Sequence, residues 1–237
     1  ANIVPTSHQL DFFDPYFASD YSNKIHLLNN PKHILNLDHA AKKLAEHSRS
    51  LQTTEVEKEK SKQQVDKYSD QLNQWVEKNA TSILHSGKKI ALLGGDHSCP
   101  FGLIKALSHT YKNFGILHID AHFDLRQAYE GFSWSHASIM WNVLEHVKAV
   151  EKIAHVGIRD FCKAEWDLAS KDSRCNVFTD QMISRHKLKG GSFADIIEKI
   201  INSLPEKIYI SFDIDGLDPS LCPNTGTPVP GGLSYHE

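Results

Sequence analysis

Long apolar runs are missing from this sequence. No uninterrupted stretch approaches the ~20 residues a membrane-spanning helix needs, and no charged-then-apolar leader opens the chain. A membrane partner is therefore not expected. A basic excess is missing too: 26 lysines and arginines stand against 29 acidic residues, a formal charge of −3. That balance argues against a nucleic-acid partner, because phosphate binding draws on positive charge. The four cysteines, Cys99, Cys162, Cys175 and Cys222, show no paired Cys-x-x-Cys spacing. Neither a zinc ribbon nor a disulfide framework is indicated, and a reducing, cytoplasmic compartment is expected. No repeat, low-complexity tract or flexible linker divides the 237 residues, so one α/β domain over residues 1–237 is expected.

What is present is an alternation of two periodicities. Residues 1–35 are rich in Asp, Asn, Pro and aromatics and read as a loop-rich opening stretch. Helix signals follow from Asp38. After the charge-dense Glu55–Lys60, the residues Val65, Tyr68, Leu72, Trp75 and Val76 fall on one helical face. The charge run itself reads as a solvated helix face with Glu–Lys pairs. Strand-like runs then appear at 88–93, 114–119, 152–158, 176–179 and 207–212, separated by helix-like segments near 100–112, 136–149, 163–170 and 192–204. Near-continuous apolar strands alternating with helices signal a parallel sheet covered on both faces. In such sheets ligands bind beyond the carboxyl ends of the strands.

Three short stretches sit at those ends: Gly94-Gly95-Asp96-His97-Ser98, Asp120-Ala121-His122-Phe123-Asp124, and Ser211-Phe212-Asp213-Ile214-Asp215-Gly216. Side chains on an extended strand alternate faces, so Asp120, His122 and Asp124 are expected to share one direction, as are Asp213 and Asp215. Carboxylates crowded on one edge repel and resist desolvation unless cations hold them. His97, Asp120, His122, Asp124, Asp213 and Asp215 are therefore candidate metal ligands. Two imidazoles and four carboxylates suit a divalent ion such as manganese, or a close competitor such as cobalt, better than a thiolate-seeking metal.

These motifs resemble the signatures of the ureohydrolases, the family of arginases, agmatinases and formimidoylglutamases. Thr225-Gly226-Thr227-Pro228 and Gly231-Gly232-Leu233-Ser234-Tyr235-His236-Glu237 resemble a fourth signature. The resemblance runs from about Lys88 to the last residue. It implies an arginase-like three-layer αβα fold with a central, mainly parallel sheet, two Mn2+ per chain, and often a homo-oligomer (trimer or hexamer). It further implies that His97, Asp120, Asp124 and Asp213 hold one ion and His122, Asp120, Asp213 and Asp215 the other. Two such ions ~3.5–4 Å apart can lower the pKa of a shared water. The reaction implied is cleavage of a guanidino C–N bond in a small linear amidine, releasing urea. Family members continue past the position of Glu237, so a chain truncated at its carboxyl end is expected.

The flanking residues carry the finer readings. The resemblance makes His136 a proton relay, against a plain helix-start histidine, and makes Glu237 a partner for the substrate guanidinium. With Asp124 these are the candidate catalytic residues. Asp96 reads as orienting a ligand or capping the next helix, and His118 and His155 as satisfied core histidines. Arg126 and Cys162 stand where arginases carry a neutral amide and an acidic residue, which points to an agmatinase-like substrate, with arginase and formimidoylglutamase as alternatives. Arg126 reads equally as a salt-bridged loop residue. A non-catalytic metal-binding or regulatory subunit is the alternative of another class.

Overall fold

The computed structural model describes residues 11, 13–21 and 24–237. Residues 1–36 and 37–237 form two compact units. In the first, β1 (Phe13–Asp14) and β2 (Ser19–Asp20) make a short antiparallel hairpin. Residues 1–10, 12, 22 and 23 of the expected loop-rich stretch lie outside the described residues. The stretch ends earlier than expected, because helix α1 (Lys32–Arg49) begins directly after Pro31.

The second unit carries the sheet. Helix α2 (Glu55–His85) opens with a reciprocal capping box between Thr54 and Glu57, which satisfies two of the N–H groups a helix start leaves unpaired. It turns Val65, Val76 and Ala80 inward. Helix α3 (Phe101–Thr110) packs against it. The strands β3 (Phe114–Ile119), β4 (Val150–Val156), β5 (Cys175–Phe178) and β6 (Ile208–Phe212) form a parallel sheet in the order β5-β4-β3-β6. On one face Phe114, Ile116 and Ile153 bury against α3, α4 (Ile139–His146) and α5 (Lys163–Lys171). On the other, Ala154 and Val156 bury against Ile183 of α6 (Asp180–Leu188) and Ile196 and Ile200 of α7 (Phe193–Asn202). The layers are helix, sheet, helix, as expected. No helix among the described residues is long and apolar enough to cross a membrane.

Two expectations fail locally. Residues 88–93 join no strand ladder. Ile90 and Leu92 instead pack on the α2–α3 cluster while Leu93 is 66% exposed, so side-chain packing rather than backbone pairing holds this run. The helix expected at 136–149 is a 3-10 turn at His136–Ser138 followed by α4. The cause is local: the Asp124 carbonyl accepts from the N–H groups of Met140 and Trp141, setting where the α-helix starts.

Candidate metal centre

Backbone stitching joins two of the three stretches, Asp120–Asp124 and Ser211–Gly216, to each other and to the loop after β4. The Asp213 N–H donates to the Ile119 carbonyl, Asp120 N–H to Val156, and Arg159 and Asp160 N–H to Ala121. Each loop that leaves the sheet is thus pinned to its neighbour at the strand's last rung. Gly157 makes one of these junctions possible. Its φ is +89°, and a Cβ there would lie 3.1 Å from the Asp120 carbonyl oxygen.

The carboxylate of Asp120, 1% exposed, sits at the middle of the cluster. Its Oδ1 accepts from the His122 N–H at 2.7 Å and lies 3.4 Å from His122 Nδ1. Its Oδ2 lies 2.8 Å from His97 Nδ1 and 3.0 Å from His118 Nε2. His97 Nδ1 also approaches Asp124 Oδ2 at 3.0 Å and Asp213 Oδ2 at 3.6 Å, and its Nε2 is fixed by Ser211 Oγ at 2.8 Å. On the other side His122 Nδ1 lies 3.2 Å from Asp215 Oδ2. Asp215 Oδ1 accepts from the Ala121 N–H, and Asp213 Oδ1 from the Asp215 N–H. The donors therefore fall into two groups, His97/His118/Asp120/Asp124 and Asp120/His122/Asp215, with Asp120 in both. Five of the six sequence candidates fall in these groups, and the sixth, Asp213, lies beside them, 3.6 Å from His97 Nδ1.

The route to that convergence differs from strand alternation. β3 ends at Ile119, and Asp120 to Asp124 run as a loop. Asp124 has φ +54°, the left-handed region. Few residues other than Gly enter it, with Asp and Asn the most tolerant.

Electrostatics show what the cluster is built to hold. Burial, and then the adjacent Asp120 carboxylate, push Asp124 up to about 7. Asp213 is raised by the same two causes. Burial opposes the ionised form of Asp120, but hydrogen bonds from His118, His122 and His97 hold it well below the usual carboxylate range. Burial lowers His97 and His122 as well. Contacts with Asp120 and Asp124 outweigh this and raise His97 well above its ordinary value, while Asp120 and Asp215 raise His122 to about 10. Packed carboxylates that draw protons onto imidazoles are an environment suited to cations. With only oxygen and imidazole donors, the set fits divalent ions of hard-to-borderline character.

Metal binding must then displace protons. Calorimetric titration of Mn2+ near pH 7.5, in buffers of different ionisation enthalpy, is expected to show about one to two protons released per chain. Affinity should fall as pH drops, first through about 10, where His122 protonates, and further through about 7, where Asp124 does. A binding enthalpy independent of buffer would contradict this arrangement.

The other candidates belong to neither donor group. The His136 ring packs edge-on to Tyr129, with centroids 5.4 Å apart. Its turn is nonetheless tied to the metal loop, since the Arg126 N–H donates to the Ala137 carbonyl. Glu237 pairs with Lys187 and accepts from the Ser234 N–H. Asp96 accepts from the Ser98 N–H and hydroxyl, closing a turn ahead of α3. Arg126 is salt-bridged to Glu165 and stacks on Tyr129. Together with Leu125, Trp141 and Cys162, Arg126 and Glu165 line a cavity of about 410 Å³ beginning one residue beyond Asp124.

Three contributors escaped the sequence reading. Buried Glu165 accepts from the Leu125 and Cys162 N–H groups, holding the metal loop to the start of α5. Arg159 donates to the carbonyls of Asp215, Leu217 and Val229, gathering two loops around one guanidinium. His118 contacts Asp120 directly. Only His118 carried a readable signal, lying two residues before Asp120 and so on the same strand face.

A family model described as "Arginase family" matches residues 30–237. The chain belongs to the arginase family. It is 35% identical over 169 residues to an N(1)-aminopropylagmatine ureohydrolase of Thermus thermophilus, covering 71% of this chain and 54% of that protein. An agmatinase of Bacillus anthracis is 31% identical over 166 residues, covering 68% and 52%. Among solved structures, an arginase from Bacillus cereus superposes with a TM-score of 0.61 at 28% identity, over 74% of this chain and 63% of that one. The chain thus spans about half the length of the curated relatives it matches.

Proposed function

We propose that this chain carries the centre of a binuclear manganese ureohydrolase that cleaves a guanidino C–N bond and releases urea. Its substrate would be a small linear amidine of the agmatine type. The observation that carries this reading is the pair of donor groups sharing Asp120. His97, Asp120, Asp124 and Asp213 would hold one ion, and Asp120, His122, Asp213 and Asp215 the other. The chemistry supplied by a bound ion pair is activation of water at neutral pH. Asp120 and Asp213 would be shared by the two positions, and Ser211 fixes the His97 ring by its far nitrogen. His136 would deliver the proton the departing amine needs.

The cavity beside Asp124 supports an agmatine-type tail over an amino-acid end. Arg126 there is already engaged by Glu165 and Tyr129, and Cys162 supplies no carboxylate for an α-amino group. Glu237, committed to Lys187, would have to exchange that partner to meet a guanidinium. The relatives of this chain named as agmatinase and aminopropylagmatine ureohydrolase fit the same choice. The four cysteines are free, in keeping with a reducing cytoplasm. A homo-oligomer with no nucleic-acid or membrane partner completes the reading.

The test is urea release with added Mn2+ from agmatine, N1-aminopropylagmatine, arginine and guanidinobutyrate. Agmatine or its aminopropyl derivative should be the preferred substrate. Formamide from formimidoylglutamate would replace the reading with a formimidoylglutamase. Two bound Mn2+ with no product from any of these would leave a metal-binding subunit instead.

A further inference from the structure

His118 and His155 occupy matching positions on adjacent parallel strands, paired in register one rung before the sheet ends. Both rings are fully buried. His155 packs edge-on to Phe123 at 5.3 Å, and His118 lies 5.2 Å from the His97 ring. Burying two imidazoles at the heart of a sheet is costly unless their nitrogens are used. They are used in one direction. His118 Nε2 lies 3.0 Å from Asp120 Oδ2. A carboxylate oxygen accepts only, so His118 Nε2 must carry the proton. A neutral His118 then has a bare Nδ1, which lies 2.9 Å from His155 Nδ1. That contact requires His155 Nδ1 to donate, which leaves His155 Nε2 bare. Among the described residues this nitrogen is one of two buried side-chain N or O atoms without a hydrogen-bond partner, as an unprotonated lone pair in an apolar pocket would be.

The consequence falls on Asp120. Each of its oxygens receives one donor that the fold fixes, the His122 backbone N–H on Oδ1 and the His118 Nε2–H on Oδ2. Each oxygen has two lone pairs, so one per oxygen is kept for the side where the His97 and His122 imidazoles lie. We propose that His118 and His155 are positioning residues, a two-imidazole prop whose fixed tautomers orient Asp120 as the carboxylate shared by both metal positions. The proposal rests on the metal reading above, but its own prediction concerns the chain before any turnover. Partners of this kind are worth ~10–100-fold in metal affinity.

Two measurements test it on the full chain. The first is the nitrogen-15 spectrum of the histidine rings of the metal-free protein. His118 should be protonated at Nε2 and bare at Nδ1, and His155 the reverse; opposite tautomers would overturn the prop. The second is Mn2+ affinity by titration for the wild type, His118→Phe, His118→Gln and His155→Phe. His118→Phe should weaken binding ~10–100-fold. His118→Gln, whose amide can still donate near the Nε2 position, should recover most of the loss, and His155→Phe should weaken binding less than His118→Phe does. Wild-type affinity in His118→Phe, or no recovery in His118→Gln, would overturn the proposal. If His118→Phe fails to fold, the ring spectrum together with the His118→Gln and His155→Phe affinities decides. A wild type that binds no Mn2+ defeats the ureohydrolase reading, while the tautomers still decide this one.

Discussion

Replacing Asp120 with alanine is expected to abolish high-affinity Mn2+ binding and, with it, urea release. The residue belongs to both donor groups, and both its oxygens are engaged. Its loss would also leave three imidazoles, His97, His118 and His122, without the carboxylate that organises them. Asp213→Ala should come next, since Asp213 faces His97 and receives the Asp215 N–H. His136→Ala should retain full Mn2+ stoichiometry and lose turnover alone, because His136 belongs to neither donor group and its ring packs on Tyr129. General acid–base groups contribute ~10²–10⁴-fold to rate, so that is the scale of loss expected for His136→Ala at unchanged metal content. Metal analysis alongside urea release separates the three. Equal, modest effects from all of them would contradict the assignment.

The largest effect on stability is expected from Gly102→Ala, far from the metal. In α3 this glycine lies directly on the backbone of α2. An added Cβ would come within 2.3 Å of the Asn73 carbonyl oxygen, 2.9 Å of the Glu77 nitrogen and 2.9 Å of the Val76 Cβ. Two of those neighbours are helix backbone and cannot swing aside, so the helices must separate. Overpacking of this kind costs ~1–3 kcal/mol. At this size each kcal/mol shifts Tm by ~2–4 °C. Gly102→Val should cost more, and Gly226→Ala, where nothing lies within 4 Å of an added Cβ, should leave Tm unchanged. Thermal unfolding of the three variants in metal-free buffer is the measurement. An unchanged Tm in Gly102→Ala would mean that the α2–α3 contact is looser than the structure shows.

The fold was readable wherever burial imposes a period. FGILHI forms a parallel strand because its apolar continuity matches a sheet that helices cover, and KIYISF pairs beside it at the sheet's edge with Ile208, Ile210 and Phe212 left exposed. α6 was missed because it buries one residue, Ile183, and so writes no apolar stripe; its start is marked only by Thr179, which accepts from the Met182 N–H. The run at 88–93 misled for the opposite reason, being apolar enough for a strand yet packed on helices by its side chains. At the site, the six donors were legible as residue types at strand ends. How they converge was not. It depends on a left-handed backbone at Asp124, on inter-loop hydrogen bonds at Ala121, and on Glu165 and Arg159, which act through groups far away in sequence.

The left-handed backbone at Asp124 also bears on how freely this position could change over generations. Two demands meet there. The turn admits Gly, Asn or Asp with little strain, while the cluster asks for an anion beside His97. Glutamate satisfies the charge at greater backbone strain, although Glu130 of this chain enters the same region at φ +53°, and glycine or asparagine satisfies the turn but not the charge. Aspartate answers both with the least strain. The position of this candidate ligand is thus constrained by its own backbone as well as by the charge beside it.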